Sequence, residues 1–328
     1  MNYERDALLA DIARRYYLLD QSQQEIADQL DISRSNISRL LKEARRRGIV
    51  EIYIHHPLGR DTHLERQLAE RFGLREVGVV QAIAGDAQAT LVQAATLAAQ
   101  MLDGFLANAR SLGISWGTTI NAIAQAFAPQ RRYDVEVVQM MGGVGSSDPT
   151  IDGPAVAQRF AQALSGRYRY LHAPLIVDTP TIAQALLLER NIAETLSAAA
   201  QADVALVGIG AAEPSVSSLM RAGYLTPEEF RTIQQAGVVG DICARHFDIT
   251  GRMAAPDIDA RLISVSLESI AQIPVVVGAA CGPTKARAIR GALAGGYLDV
   301  LITDSATAEA VLALANTAAP SLSAQAVG

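Results

Sequence analysis

Cysteine is nearly absent from this chain, with two in 328 residues, and so is tryptophan, with one. Two cysteines cannot build the cross-linked framework on which small secreted domains depend. No uninterrupted apolar run approaches the ~20 residues a spanning helix needs, so no transmembrane segment or membrane partner is expected. The opening residues, MNYERDALLADIARR, are charged from residue 4 and lack the apolar core of a secretory signal. His55, His56 and His63 have no companions at metal-ligand spacing, and a solvated linker accounts for them. A cytoplasmic protein that needs neither metal nor cofactor is the expectation.

What is present is an ordinary soluble composition, 50% apolar and 19% charged, long enough for about two domains. The formal net charge of −6 argues against nucleic acid until it is divided along the chain. Residues 1–60 sum to about +1, the remainder to about −7, and Ser33 to Arg47 alone to +5. A local basic face matters more for phosphate contact than the total, because salt screens charges beyond ~8–10 Å.

That basic stretch has helical structure written into it. Residues 5–19 place Leu8, Leu9, Ile12 and Tyr16 at helical spacing, a first amphipathic helix. Ser22-Gln-Gln-Glu25 matches a capping box and opens a second helix, with Ile26, Ala27 and Leu30 facing inward. Asp31-Ile32 ends it, and Ser33 caps a third helix in which Ile37, Leu40, Leu41 and Ala44 share one face. From Ser33 onward the other face offers Arg34, Ser35, Asn36, Ser38, Arg39 and Lys42, groups suited to base edges and phosphates in a major groove. A solvated basic face is the plainer reading of such a helix. The capping box, the short turn and the small Ala27 at the crossing favour a DNA-reading helix-turn-helix over residues 1–56. Alternating β-branched residues at 48–56 predict a strand closing this domain, and Pro57 and Gly59 mark a linker over 57–62.

Residues 63–328 alternate between strand and helix signals. Strands are expected near 77–82, 109–114, 135–140, 170–177, 203–209, 262–266, 274–279 and 299–303. Helices are expected at 87–107, 154–165, 181–200, 226–236 and 284–294. Near-continuous apolar strands such as VALVGIG and PVVVGAA predict an α/β domain with a mainly parallel sheet covered on both faces. Ligands of such sheets bind outside the carboxyl ends of the strands, so the loops after the strands are the place to look.

Three of these loops carry chemistry. Leu112 to Thr119 runs from strand to helix and would place Ser115, Gly117, Thr118 and Thr119 at a helix N-terminus, an anion site. A plain turn with Trp116 packed in the core is the other reading; Trp116 could equally stack on a sugar. The Gly142-Gly143 loop lets backbone approach a ligand. In the loop Val277 to Lys285, a lysine on the first helical turn opposes the helix dipole unless an anion is near. Asp241, after Val239-Gly240, suits sugar hydroxyls or simply closes a turn.

Several stretches, in this order, carry a resemblance: QEIADQLDISRSNISRLLKEARRRGIV, GISWGTTI, VVQMMGG, ADVALVGIG, GVVGDI and GPTKARAIRGALAGGYLDVLITDSATA. The chain resembles the SorC family of sugar-responsive bacterial transcriptional regulators, of the sorbitol operon regulator and central glycolytic genes repressor type, over essentially its full length. The resemblance implies a helix-turn-helix joined to an effector domain similar in fold to glucosamine-6-phosphate deaminase and ribose-5-phosphate isomerase. It further implies homotetramers, dimers of dimers on operator DNA, whose affinity changes when a phosphorylated sugar binds. On matching positions it assigns Ser115, Gly117, Thr118, Thr119 and Lys285 to phosphate, Gly142 and Gly143 to the length of the ligand, and Asp241 to its hydroxyls. The Gly-Gly common before the lysine loop reads Cys281-Gly282 here, which puts amide approach there in doubt. Cys243 and Cys281 fall beside these loops as small buried residues rather than redox or metal groups. Arg221, Arg245 and His246 are further candidate ligand contacts.

The competing class is a sugar-phosphate isomerase or deaminase with a DNA-binding appendage. Its weakness is chemical: Asp241 and Glu213 are the available bases, and neither has an evident acid partner in the sequence. The last residues, NTAAPSLSAQAVG, have no assigned role.

Overall fold

The computed structural model describes residues 2–50, 58–129, 131–143, 152–214, 217–221 and 223–317. The chain divides into a unit of Met1–Pro57 and a unit of Leu58–Gly328.

The first unit holds α1 (Asn2–Tyr17), α2 (Gln23–Leu30) and α3 (Arg34–Arg46). Ser22 Oγ accepts from Glu25 N at 3.2 Å while Glu25 Oε2 accepts from Ser22 N at 2.7 Å, so the capping box is closed. Asp31 ends α2 in left-handed backbone (φ 52°, ψ 44°), a region that a short polar side chain tolerates better than most. Ser33 Oγ then accepts from Asn36 N at 3.3 Å and starts α3. Leu9, Ile12, Ile26, Ala27, Ile37, Leu40, Leu41 and Ala44 form the shared core. Of the strand expected at 48–56, residues 51–56 lie outside the described residues, as do His55 and His56; Ile49 and Val50 rest half-buried on this core.

The second unit is built on a seven-stranded sheet in the order β1-β10-β9-β5-β2-β3-β4. Its strands are β1 (Glu76–Val80), β2 (Ser111–Ile114), β3 (Glu136–Gln139), β4 (Arg167–Arg169), β5 (Val204–Gly208), β9 (Val276–Ala279) and β10 (Val300–Asp304). Every pairing is parallel. Helices α5 (Ala87–Phe105), α6 (Thr118–Ala126) and α7 (Gly153–Leu164) cover one face, where Leu112, Val137, Leu206 and Ile302 point. The other face, with Val138, Val207 and Leu301, is covered by α4 (Thr62–Phe72), α9 (Arg190–Ala200), α14 (Ala286–Ala294) and α15 (Ser305–Thr317). Shorter helices fill the rest: α8 (Pro180–Leu188), α10 (Ser218–Arg221), α11 (Pro227–Gln235), α12 (Pro256–Asp259) and α13 (Leu267–Ile270). The α/β architecture with a helical N-terminal unit and a parallel sheet is the one expected.

The departures lie at the sheet's carboxyl end. Residues 58–62, expected as linker, join the larger unit: Gln81 N donates to Gly59 O at 2.9 Å and Arg60 pairs with Glu65 at 2.8 Å. Segments 170–177 and 262–266 are not strands. They run as straps tied by single bridges, Gly143 to Pro174, Ile176 to Leu262 and Met141 to Ser264. Pro174 has no N–H to give a ladder. The helix expected over 181–200 is broken at Glu189, which is extended (φ −62°, ψ 129°) with no glycine or proline to announce it.

Asp241 is not in a loop. It lies in a second, antiparallel sheet of β6 (Gly210–Ala211), β7 (Val238–Ile242) and β8 (Arg245–Asp248), paired with Gly210 on one side and His246 on the other. This hairpin turns at Cys243-Ala244, where an Asn-Gly pair is the usual sequence signal, so periodicity alone could not find it.

Gly142 sits against the 173–175 strap: a methyl added there would meet the Pro174 carbonyl and come within 2.7 Å of Leu175 N. Gly142→Ala should therefore destabilise the ligand-free protein by ~1–3 kcal/mol, seen as a fall of several degrees in Tm. An unchanged Tm would mean that the strap yields.

Candidate functional site

In the N-terminal unit, Ser33, Arg34, Ser35, Arg39 and Lys42 are exposed on α3, with Asn36 and Ser38 half-buried beside them. Arg39 Nη2 donates to Asn36 Oδ1 at 2.9 Å, and the Ser33 and Ser35 hydroxyls lie 3.0 Å apart. The α3 C-terminus behaves differently. Arg45 donates to the Tyr17 hydroxyl at 2.6 and 2.9 Å, and Arg47 bridges Asp6 at 2.8 Å and Glu43 at 3.6 Å. The +5 local charge thus overstates what faces outward, because these two arginines tie α3 to α1. Arg34→Ala and Lys42→Ala should each weaken duplex binding and flatten the log K against log salt slope by about 1. Arg47→Ala should instead lower Tm, and a full loss of salt slope from it would reverse these roles.

In the larger unit, the ends of β2, β3, β5 and β9 open on a cavity of about 230 Å³. Ser115, Trp116, Gly117, Thr118 and Thr119 line one wall, with Asp241 and Lys285 on others. Gly117 is the N-cap of α6 at φ 127°, backbone only glycine adopts readily, and no side chain caps the free amides of the first turn. Ser115 Oγ accepts from Gly208 N at 3.0 Å, which joins the ends of β2 and β5. Trp116 is half-buried and its Nε1 donates to Gly142 O at 3.1 Å. Lys285 ends a 3-10 turn (Pro283–Lys285) ahead of α14, and its Nζ donates to Ile209 O at 3.1 Å. Buried Asp304 holds that loop, accepting from Gly282 N at 2.7 Å while it caps α15 through Thr307 N at 3.0 Å.

The cavity does not gather every candidate. Gly142 and Gly143 stand behind Trp116 and Met141, hydrogen-bonded to the straps rather than lining the space. Arg245 donates to backbone carbonyls of the 259–265 strap, and His246 Nδ1 lies 2.8 Å from Asp259 Oδ1, so both are engaged within the fold and neither lines this cavity. The Arg221 side chain and residues 144–151 lie outside the described part. Sequence reasoning missed Met141, Ile209, Gly210, Leu219 and Ala244, which complete the walls. The glycines flanking Ile209 were the available signal, since any side chain at Gly210 would overlap the Asp241 carboxyl.

Burial pushes the Asp241 carboxyl above the usual carboxylate range, opposed by the charges of His246 and Lys285 and the Ala244 amide, and reinforced by Asp259. Burial also raises the Cys243 thiol, and raises Cys281, beside Asp304, to about 12. Neither is a thiolate at neutral pH. Among the described residues no three His, Cys, Asp or Glu side chains are grouped to hold a metal, and no helix is long and apolar enough to cross a membrane. Asp241 is the one carboxylate among the described lining residues, and Glu213 is exposed at a separate recess with Thr284 and Arg287. A raised folded-state value means stability is lost as pH rises from the ordinary carboxylate range through the raised one. Asp241→Asn should therefore raise Tm at neutral pH, with the gain shrinking as pH falls to that ordinary range. A gain that does not change with pH would refute this origin.

Residues 56–313 match the family described as "Putative sugar-binding domain", and residues 10–47 match sigma-70 region 4. The chain is 34% identical over 312 residues to the deoxyribonucleoside regulator of Bacillus subtilis, covering 95% of this chain and 99% of that one. It is 31% identical over 308 residues to the sorbitol operon regulator of Klebsiella pneumoniae, covering 93% and 97%. The crystal structure of full-length SorC from Klebsiella pneumoniae superposes with a TM-score of 0.70 at 30% identity, over 94% of this chain and 99% of that one. A helix-turn-helix unit, a parallel-sheet unit open at its carboxyl edge and these full-length likenesses lead to one conclusion: the chain belongs to the SorC family of sugar-binding transcriptional regulators.

Proposed function

We propose that the affinity of this regulator for operator DNA is set by a phosphorylated sugar or polyol in the cavity at the sheet's carboxyl edge. One observation carries the reading: the uncapped start of α6 and the side chains of Asp241 and Lys285 border the same small space. Free amides and the helix dipole suit the anionic end of such a molecule, and a lone carboxyl suits its hydroxyls. Lys285 supplies positive charge to the same space, and Asp304 supports its loop. Among the described lining residues Asp241 is the one carboxylate and no histidine stands with it, which favours binding over turnover. In this reading the protein acts in the cytoplasm as a homo-oligomer, because a helix-turn-helix reads one half-site per copy, and the resemblance to its family extends this to a dimer of dimers. Ligand moves the DNA-binding equilibrium through its unequal affinity for two states.

Thermal unfolding against sugars, polyols and their phosphates tests the reading. A ligand at ~100 times its Kd adds about 2.7 kcal/mol of stability. A shift confined to phosphates and lost in Lys285→Ala, with DNA binding of the unliganded variant intact, is the expected result. A shift with free sugars alone would remove the anion, and loss of DNA binding in Lys285→Ala would make that lysine structural. Release of ammonia or isomerised sugar phosphate would replace the regulator reading of this cavity with an enzymatic one.

A further inference from the structure

The turn between β7 and β8 is held in a conformation its residues do not favour. Cys243 has φ 51° and Ala244 φ 63°, consecutive left-handed positions in a two-residue turn. Asn-Gly suits that backbone, and a residue with a Cβ persists there only where its surroundings impose it. Both residues line the cavity, and the Ala244 amide favours the charged form of the Asp241 carboxyl.

The surroundings that impose it are next in sequence. Arg245 donates through Nε to Val265 O at 3.2 Å, through Nη1 to Asp259 O at 2.6 Å, and through Nη2 to Ser264 O at 2.8 Å and Leu262 O at 3.5 Å. A planar fork of five N–H groups can grip four carbonyls spread along a strap, whereas an ammonium has three donors on a single atom. His246 adds a second hold: its amide donates to Asp259 Oδ2 at 3.3 Å, beside the ring contact to Oδ1. The gripped strap continues to the cavity's far wall, where Val265 N donates to Met140 O at 3.0 Å and Gly142 N to Ile263 O at 2.9 Å. Gly142 O is in turn the acceptor of Trp116 Nε1. Turn, strap and tryptophan form one hydrogen-bonded circuit around the space.

Resting on the effector-cavity reading above, we propose that Arg245 is a positioning residue: by gripping the 259–265 strap it keeps the Cys243-Ala244 turn left-handed and so aims Asp241 at the effector. It touches no ligand itself. An arginine that merely fastened a surface strap would leave the opposite wall of the cavity indifferent to its replacement.

Trp116 is the lone tryptophan, so its emission reports that opposite wall without any ligand. Three variants decide the matter: Ala244→Gly, Arg245→Lys and the two combined. Ala244→Gly should raise Tm by about 2–4 °C, because glycine relaxes the turn. Arg245→Lys should shift Trp116 emission to the red, and the double variant should return most of the shift although lysine cannot remake the four bonds. With sorbitol 6-phosphate and ribose 5-phosphate as probes, binding should weaken by about tenfold in Arg245→Lys, the size of effect a lost supporting contact produces. It should recover in the double variant. An unchanged or lower Tm in Ala244→Gly, parental emission in Arg245→Lys, or a double variant no closer to the parent than the single one would each overturn the proposal. If Arg245→Lys fails to fold, failure of Ala244→Gly to rescue it counts as the same refutation. The emission and Tm measurements need no effector. Probes that do not bind the parent would therefore count against the effector reading, and failed ligand-free measurements against Arg245.

Discussion

A parallel sheet covered on both faces leaves its backbone polar atoms one outlet, the ends of its strands, and the rest of the larger unit depends on how those ends are closed. Here β2, β3, β5 and β9 stop near the same place, and each closure uses a different device: the Ser115 hydroxyl on Gly208 N, the Trp116 indole on Gly142 O, the Asp304 carboxylate on Gly282 N. The space left between these closures is the cavity. Because the side chains that close the strands also shape the walls, stability and the shape of the cavity cannot be varied independently there.

The cavity is also the least comfortable part of the unit. A carboxyl is half-buried on β7 against a glycine that must stay bare, two residues with Cβ atoms occupy left-handed backbone, and α6 begins without a capping side chain. Each costs stability on its own, and together they fit the proposed effector site, one not relaxed around itself. The N-terminal unit shows the opposite economy. Its caps are satisfied, its core is closed by small and branched side chains, and two of the six basic residues between Ser33 and Arg47 are tied to α1. What it presents outward is the polar N-terminal half of α3.

Much of this was legible in the residues. Ser22-Gln-Gln-Glu25 and Ser33 are local signals, complete within one turn of helix, and the structure obeys them because capping involves only neighbours. The alternation of apolar strands with Ala-rich helices is likewise local, and it announced the parallel sheet. The strand-to-helix loops at Ser115–Thr119 and Lys285 were visible because glycine and hydroxyls between strand and helix suit an anion, and a lysine on a first helical turn opposes the helix dipole. The β7–β8 hairpin was hidden for the complementary reason: its turn sequence, Cys-Ala, is one that the backbone accepts only under tertiary constraint.

By itself, then, the sequence determined the helix-turn-helix, six of the seven parallel strands and the loops that reach the carboxyl edge, because caps, periodicity and glycine conformations are properties of neighbouring residues. Only the tertiary structure decided that Asp241 stands on a strand facing Gly210, that Gly142 and Gly143 brace a strap behind the cavity, and that Arg245 is given over to backbone carbonyls. The physical reason is that these roles depend on partners 14 or more residues away. A carbonyl oxygen, moreover, is the same atom in every residue and leaves no mark in the sequence of the chain that will receive the bond.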